Sequence, residues 1–232
     1  ACACVGSLLA SNRMVNMAAV STSSVPSSPA WTPTEIGLAI GSVLLITLVA
    51  FEELAATTIM PAVVASYDAA PWYPIASGAA LAAQLSATVV AGAMADGKGP
   101  RAVLFSGMAL FAVGLIMSAL GPNVIVFVAG RALQGLGGGL LVVPLYVLIG
   151  AVAAPAHRPS FFAAFSLAWV LPSLVGPAIA GYVTQMWGWR YVFGVVPIVV
   201  VVAAIPVGYV LRTLPVAEAR KAARLAALSC NA

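Results

Sequence analysis

Charged residues are scarce in this sequence. Only 7% of its 232 residues are Asp, Glu, Lys or Arg, whereas 62% are hydrophobic, and the mean hydropathy is +1.09. A soluble domain carries about 25% charged residues, because its surface must face water. The composition therefore excludes an ordinary water-soluble domain and predicts a chain whose surface is covered mainly by lipid.

Metal-binding and nucleophilic side chains are also scarce. The single histidine is His157, and the three cysteines, Cys2, Cys4 and Cys230, lie near the chain ends. These residues have no zinc-site spacing, and no nucleophile–base set is visible. We expect no enzyme activity, no catalytic residue, no metal and unpaired thiols.

The net charge of +4 could suggest nucleic acid, but the basic residues are scattered among hydrophobic segments, so no nucleic-acid partner is expected.

Six long hydrophobic runs dominate the sequence. Each is long enough to cross about 30 Å of hydrocarbon as a helix, and the alternating pattern of barrel strands is absent. We predict an all-α, integral membrane six-helix bundle over 34–212, between a disordered cytoplasmic tail (1–33) and a basic cytoplasmic tail or linker (213–232). The last segment could also lie on anionic lipid as a short amphipathic helix. The predicted spans are 36–61, 72–95, 102–120, 123–152, 160–186 and 190–211.

The basic residues are distributed unequally between the two sides of the predicted bundle. Positively charged connectors face the cytoplasm, so both termini are predicted to be cytoplasmic in a multi-pass protein of the cell (plasma or inner) membrane. Arg190 is alone on the outer side, where Trp and Tyr residues cluster, and Arg131 lies within a span. The cytoplasmic set is Arg13, Lys98, Arg101, Arg158, Arg212, Arg220, Lys221 and Arg224.

Three ionisable residues lie inside predicted spans: Glu52, Glu53 and Arg131. A charge near mid-bilayer costs about 2.5–3.5 kcal/mol or more, so such residues usually face a partner or a wet cavity. Glu52 and Arg131 both lie roughly 12–14 Å below the outer edge and could meet as a proton-coupled or substrate-contacting pair. The alternative is a buried salt bridge that only fixes packing. Glu53 points about 100° away, and Gln134 adds a polar group on the helix face of Arg131.

Glycine and proline mark two of the spans. Gly135 and Gly139 have the GxxxG spacing that permits close helix approach. Pro177 follows Gly176 in span 5, which predicts either a bent span that moves against a partner or a kinked, well-packed helix.

Four motifs, taken together, resemble those of the major facilitator superfamily, most closely its drug:proton antiporters. They occur in the order and at the spacing of that family. The sequence departs from the usual pattern by having Glu52 where Asp is common, and Gly97 and Pro100 where basic residues are common. The motifs lie in the first span (51–61), the connector after span 2 (92–101), the fourth span (131–137) and the fifth span (176–181).

The resemblance implies that this chain is the N-terminal six-helix half of a major facilitator fold. It implies proton-coupled efflux of small, lipophilic molecules as in multidrug antiporters, with the proton gradient as driving force and no cofactor. The implied partners are the lipid bilayer, a small-molecule substrate and a second six-helix half. The alternatives are a truncated, non-transporting half with a packing or regulatory role, and a metabolite importer. The implied sites are proton coupling or substrate cavity (Glu52, Glu53, Arg131, Gln134), a cytoplasmic gating loop (Gly92, Asp96, Lys98, Gly99, Arg101) and the helix 5 antiporter motif (Gly176, Pro177, Gly181).

Overall fold

A computed structural model describes residues 30–213 of the chain, with side chains described as far as Tyr209. Within 30–213 there are six long helices and no strand, which confirms the predicted all-α six-helix class. The cysteines, most of the predicted N-terminal tail and all but the first residue of the predicted C-terminal tail lie outside this range. The helices are α1 Pro33–Ser66, α2 Tyr73–Lys98, α3 Pro100–Leu120, α4 Val124–Val152, α5 Arg158–Met186 and α6 Trp189–Thr213, with a 3-10 turn at Ala70–Trp72.

Local signals set the helix starts. Thr32 and Glu35 form a capping box, in which the Thr32 hydroxyl accepts from the Glu35 N–H at 3.2 Å and the Glu35 carboxylate accepts from the Thr32 N–H at 3.0 Å. These two bonds satisfy donors that the first turn of a helix leaves unpaired. Asn123 caps α4 in a similar way, accepting from the Val126 N–H at 2.9 Å. The first of the described long helices therefore begins at Pro33, one residue before the predicted boundary at residue 34.

Two glycines permit the sharpest connections. Gly99 joins α2 to α3 with φ of 88°, and Gly188 joins α5 to α6 with φ of 100°. A side chain in this left-handed region clashes with its own backbone, whereas glycine adopts it freely. These residues let consecutive helices reverse direction across very short connectors.

Helix packing divides the bundle into two sets. α1 packs mainly against α5 and α6, α4 packs mainly against α2 and α3, and α3 also contacts α6. A Cβ added to Gly135 would overlap the Ala80 carbonyl of α2, and one added to Gly139 would overlap the Gln84 carbonyl. The GxxxG pair therefore faces α2, where the backbones approach closely.

The outer surface is apolar. Large hydrophobic side chains are exposed on every helix, and α2 and α5 are the least buried. Leu85 on α2 and Leu174 on α5 are 62% and 73% exposed. Each of the six helices is long and apolar enough to cross a bilayer, and their backbone groups are satisfied internally, as a hydrocarbon solvent requires. The chain is a multi-pass membrane protein.

Candidate functional site

A carboxylate from α1 meets a guanidinium from α4 inside the bundle. Glu52 is 0% exposed and Arg131 is 2% exposed. The distance from Arg131 Nη1 to Glu52 Oε1 is 3.7 Å. This is an ion-pair distance, but it is longer than a hydrogen bond. Among the residues that the structure describes, neither Glu52 oxygen has a hydrogen-bond partner.

Arg131 is held mainly by its own helix. Its Nη1 donates to Gln134 Oε1 at 2.6 Å, an i,i+3 pair on one helix face. Its guanidinium lies 5.8 Å from the centroid of the Phe193 ring on α6. Arg131 is therefore oriented without Glu52, so the distance between the two charges is not locked by a direct hydrogen bond.

A second carboxylate, Glu53, lines a small cavity together with Arg131. Glu53 is half-buried, and its Oε1 is buried without a hydrogen-bond partner in the described part of the chain. The side chain of Gln84, on α2, interacts with this carboxylate. A cavity of about 10 Å³ lies between α1, α2, α3 and α4, close to the smallest volume that holds one water. Its lining is Val49, Glu53, Ala80, Gln84, Phe111, Arg131, Gln134, Gly135 and Gly138.

These groups form one assembly, which we call the polar cluster: Glu52, Glu53, Gln84, Arg131 and Gln134. Sequence reasoning singled out four of its members and missed Gln84. An amide in the middle of a hydrophobic span was the available signal, but the sequence did not show that this face of α2 turns toward α1 and α4.

The attraction between Glu52 and Arg131 is of similar size to the cost of removing the two charges from water. Two unit charges 3.7 Å apart attract by about 4–5 kcal/mol at an effective dielectric constant of 20. Removing each ion from water costs several kcal/mol, and the unsatisfied Glu52 oxygens recover little of that cost. A proton on Glu52, or a small shift of Arg131, therefore changes the energy of this site substantially.

The residues of the predicted gating loop lie apart from the polar cluster. Asp96 and Lys98 are exposed, and Gly92 and Arg101 are half-buried. Asp96 is about 18 Å along α2 from Gln84 at 1.5 Å per residue. Within residues 30–213 the structure contains no ion pair involving Asp96, Lys98 or Arg101. Gly99 provides the reversal between α2 and α3.

The predicted helix 5 motif packs against α1 next to Glu52. Gly176 is buried, and a Cβ placed there would lie 3.5 Å from the ring of Phe51. Pro177 lies inside α5 and is half-buried, as is Gly181, whose missing side chain would meet nothing within 4 Å. Of the three motif residues, Gly176 is thus the one whose added Cβ would contact α1, at Phe51 and Leu54.

Comparison with known proteins agrees with this architecture. The family profile of the Major Facilitator Superfamily matches residues 2–230. The chain belongs to this superfamily. Its members are transporters, so the prediction of a non-enzymatic protein is confirmed, and so are the predicted superfamily and the all-α membrane fold class.

Several relatives carry efflux names. The chain is 31% identical over 153 residues to an uncharacterized transporter of Schizosaccharomyces pombe, covering 66% of this chain and 26% of that protein. It is 29% identical over 159 residues to a probable multidrug-efflux transporter of Mycobacterium tuberculosis, covering 68% and 34%. An efflux pump of Dothistroma septosporum, dotC, is 29% identical over 154 residues, covering 66% and 26%. The matched region thus spans about a quarter to a third of these relatives.

Solved structures share the fold at low identity. The proton:xylose symporter XylE superposes with a TM-score of 0.66 at 15% identity, covering 81% of this chain and 48% of that one. The peptide transporter POT superposes with a TM-score of 0.67 at 18% identity, covering 89% and 46%. In size and fold, the chain corresponds to about half of a superfamily transporter.

Proposed function

We propose that this chain is the N-terminal half of a proton-coupled transporter that exports small, lipophilic molecules, with Glu52 and Arg131 as its coupling pair. The observation that carries the proposal is a fully buried carboxylate 3.7 Å from a fully buried guanidinium, with no hydrogen bond between them. A pair used only for packing would gain from closing that bond. A pair that must separate and re-form during transport separates more easily when no hydrogen bond joins the two side chains.

In this mechanism Glu52 alternates between an ionised state and a protonated state. When it is ionised it pairs with Arg131, and when it carries a proton the attraction to Arg131 is lost. Each state favours a different arrangement of α1 relative to α4, because the energies involved are several kcal/mol. Proton binding on one side of the membrane and release on the other would thereby drive the bundle between inward-open and outward-open states. Glu53 and Gln134 would hold the substrate or the proton path beside the pair.

The rest of the proposal concerns the setting of this site. The exposed apolar faces of α2 and α5 would pack against a second six-helix half, with the substrate held between the two halves. The efflux names of the relatives support export, and an apolar wall suits lipophilic substrates. We place the protein in the cell membrane with both termini in the cytoplasm, on the basis of the distribution of Lys and Arg. Asp96, Lys98 and Arg101 would close the cytoplasmic side.

The experiment is proton flux in everted membrane vesicles, followed with a pH-sensitive dye after a lipophilic cation is added. Glu52→Gln keeps the shape of the side chain but cannot ionise, so we expect substrate-driven proton movement to be lost. Asp68→Asn is the matched control, because Asp68 is exposed outside the cluster and Asn tolerates its positive φ. Unchanged proton coupling in Glu52→Gln would reject the assignment.

A further inference from the structure

The two helices that carry the coupling pair make little direct contact. α1 packs on α5 and α6, whereas α4 packs on α2 and α3. Direct packing between α1 and α4 therefore does little to hold their axial register. A slip of one residue moves a side chain by about 1.5 Å along the axis, which is a large change for a charge pair 3.7 Å apart.

One end of α1 is tied to the end of α4. Glu35 is 3% exposed, and its Oε1 accepts from the Ala154 N–H at 2.8 Å. The same oxygen lies 3.2 Å from His157 Nδ1. Trp31, just before α1, stacks on the His157 ring with centroids 4.3 Å apart. The first turn of α1 is thereby bound to the segment that follows α4.

The other end of α1 is tied to the segment that precedes α4. The Tyr67 hydroxyl donates to the Gly121 carbonyl at 2.6 Å. Nη2 of Arg190 donates to the same carbonyl at 3.2 Å, and the Arg190 guanidinium lies 4.6 Å from the Trp189 ring centroid. Burial raises the pKa of the Tyr67 hydroxyl, so it stays a donor at neutral pH.

The two ties lie at opposite ends of both helices. Glu35 is in the first turn of α1 and Tyr67 directly follows its last residue, whereas Gly121 precedes α4 and Ala154 follows it. Because the helices are antiparallel, both ties can close together in only one axial register. A slip of one residue, about 1.5 Å along the axis, would displace each donor from its acceptor and weaken both hydrogen bonds.

We propose that Glu35 and Tyr67 are positioning residues that set the axial register of α1 against α4, and so hold Glu52 opposite Arg131. Neither residue touches the polar cluster; they act through the two helix ends. The consequence for transport rests on the proposed function, whereas the effect on the spacing of the pair does not.

The test measures that spacing directly. The full chain is reconstituted in lipid nanodiscs with ¹³C in the Glu carboxyl groups and ¹⁵N in the Arg guanidinium groups. Solid-state NMR then detects the dipolar coupling between Glu52 and Arg131, assigned by its loss in Glu52→Gln. We expect the coupling to weaken in Tyr67→Phe and in Glu35→Leu, which removes both acceptor oxygens, and to weaken most in the double variant. Tyr73→Phe is the matched control, since Tyr73 is 42% exposed at the start of α2, and its coupling should equal the wild type.

An unchanged coupling in a Tyr67→Phe protein with wild-type helix content would overturn the inference, and this variant alone decides if Glu35→Leu does not fold. Proton flux in vesicles separates the two proposals. A weakened coupling with no effect of Glu52→Gln on flux would leave the register assignment standing and reject the proposed function. Loss of flux in Glu52→Gln with an unchanged coupling in Tyr67→Phe would support the proposed function and reject the register assignment.

Discussion

The close approach of α2 and α4 leads to a quantitative prediction for Gly135→Ala. The added methyl group would overlap the carbonyl oxygen of Ala80. This obstacle is backbone rather than a flexible side chain, so the two helices must move apart. Overpacking of this kind costs about 1–3 kcal/mol, and the better helix propensity of alanine returns about 1 kcal/mol at most. We expect a net loss of up to about 2 kcal/mol in the free energy of unfolding.

The assay is reversible unfolding in mixed micelles with increasing SDS, followed by circular dichroism. Gly78→Ala is the matched control, because Gly78 lies on α2 near Ala80 and a Cβ there meets nothing within 4 Å. The control should be as stable as the wild type or more stable. If Gly135→Ala unfolds at the same SDS fraction as Gly78→Ala, the close contact between α2 and α4, and with it the narrow cavity of the polar cluster, would be refuted.

Two further predictions concern the connectors. Gly99→Ala should lower the stability of the bundle by about 1 kcal/mol, because alanine is strained at positive φ. Gly97→Ala should not lower it, because Gly97 is in a helical position with open space around it. Equal unfolding midpoints for the two variants would contradict this prediction. In a chain freed of its native cysteines, Lys98→Cys should react with an impermeant maleimide only from the cytoplasmic side, and Pro71→Cys only from the outside. In sealed everted vesicles the Pro71→Cys thiol would face the lumen and be shielded from the reagent. Labelling of Pro71→Cys in such vesicles would therefore contradict the outer placement.

The helices were predictable because the solvent leaves a chain few choices. A run of about 20 apolar residues in hydrocarbon must satisfy its own backbone groups, and a helix does so within the segment. Each predicted span therefore lies almost entirely within an observed helix. The helices extend beyond the apolar runs where local groups continue them, as at the Thr32–Glu35 capping box.

The polar cluster was predictable only in part. The meeting of Glu52 and Arg131 at one level of the bundle was predictable from residue counts, because rise per residue is constant. The contribution of Gln84 depended on the rotation of α2 about its axis, which is set by the close contact of Gly135 and Gly139 with its backbone. Hydropathy alone carries no such information, since apolar residues occur on every face of these helices.

The sequence by itself determined that residues 30–213 form six helices apolar enough to cross a membrane, and which superfamily its motifs resemble, because these depend on local composition and spacing. Only the tertiary structure decided which helix faces meet. It placed Glu35 on Ala154 and Tyr67 on Gly121, residues far apart in the chain. Such pairings depend on how all six helices pack at once, and a bilayer that solvates every apolar face equally does not select them in advance.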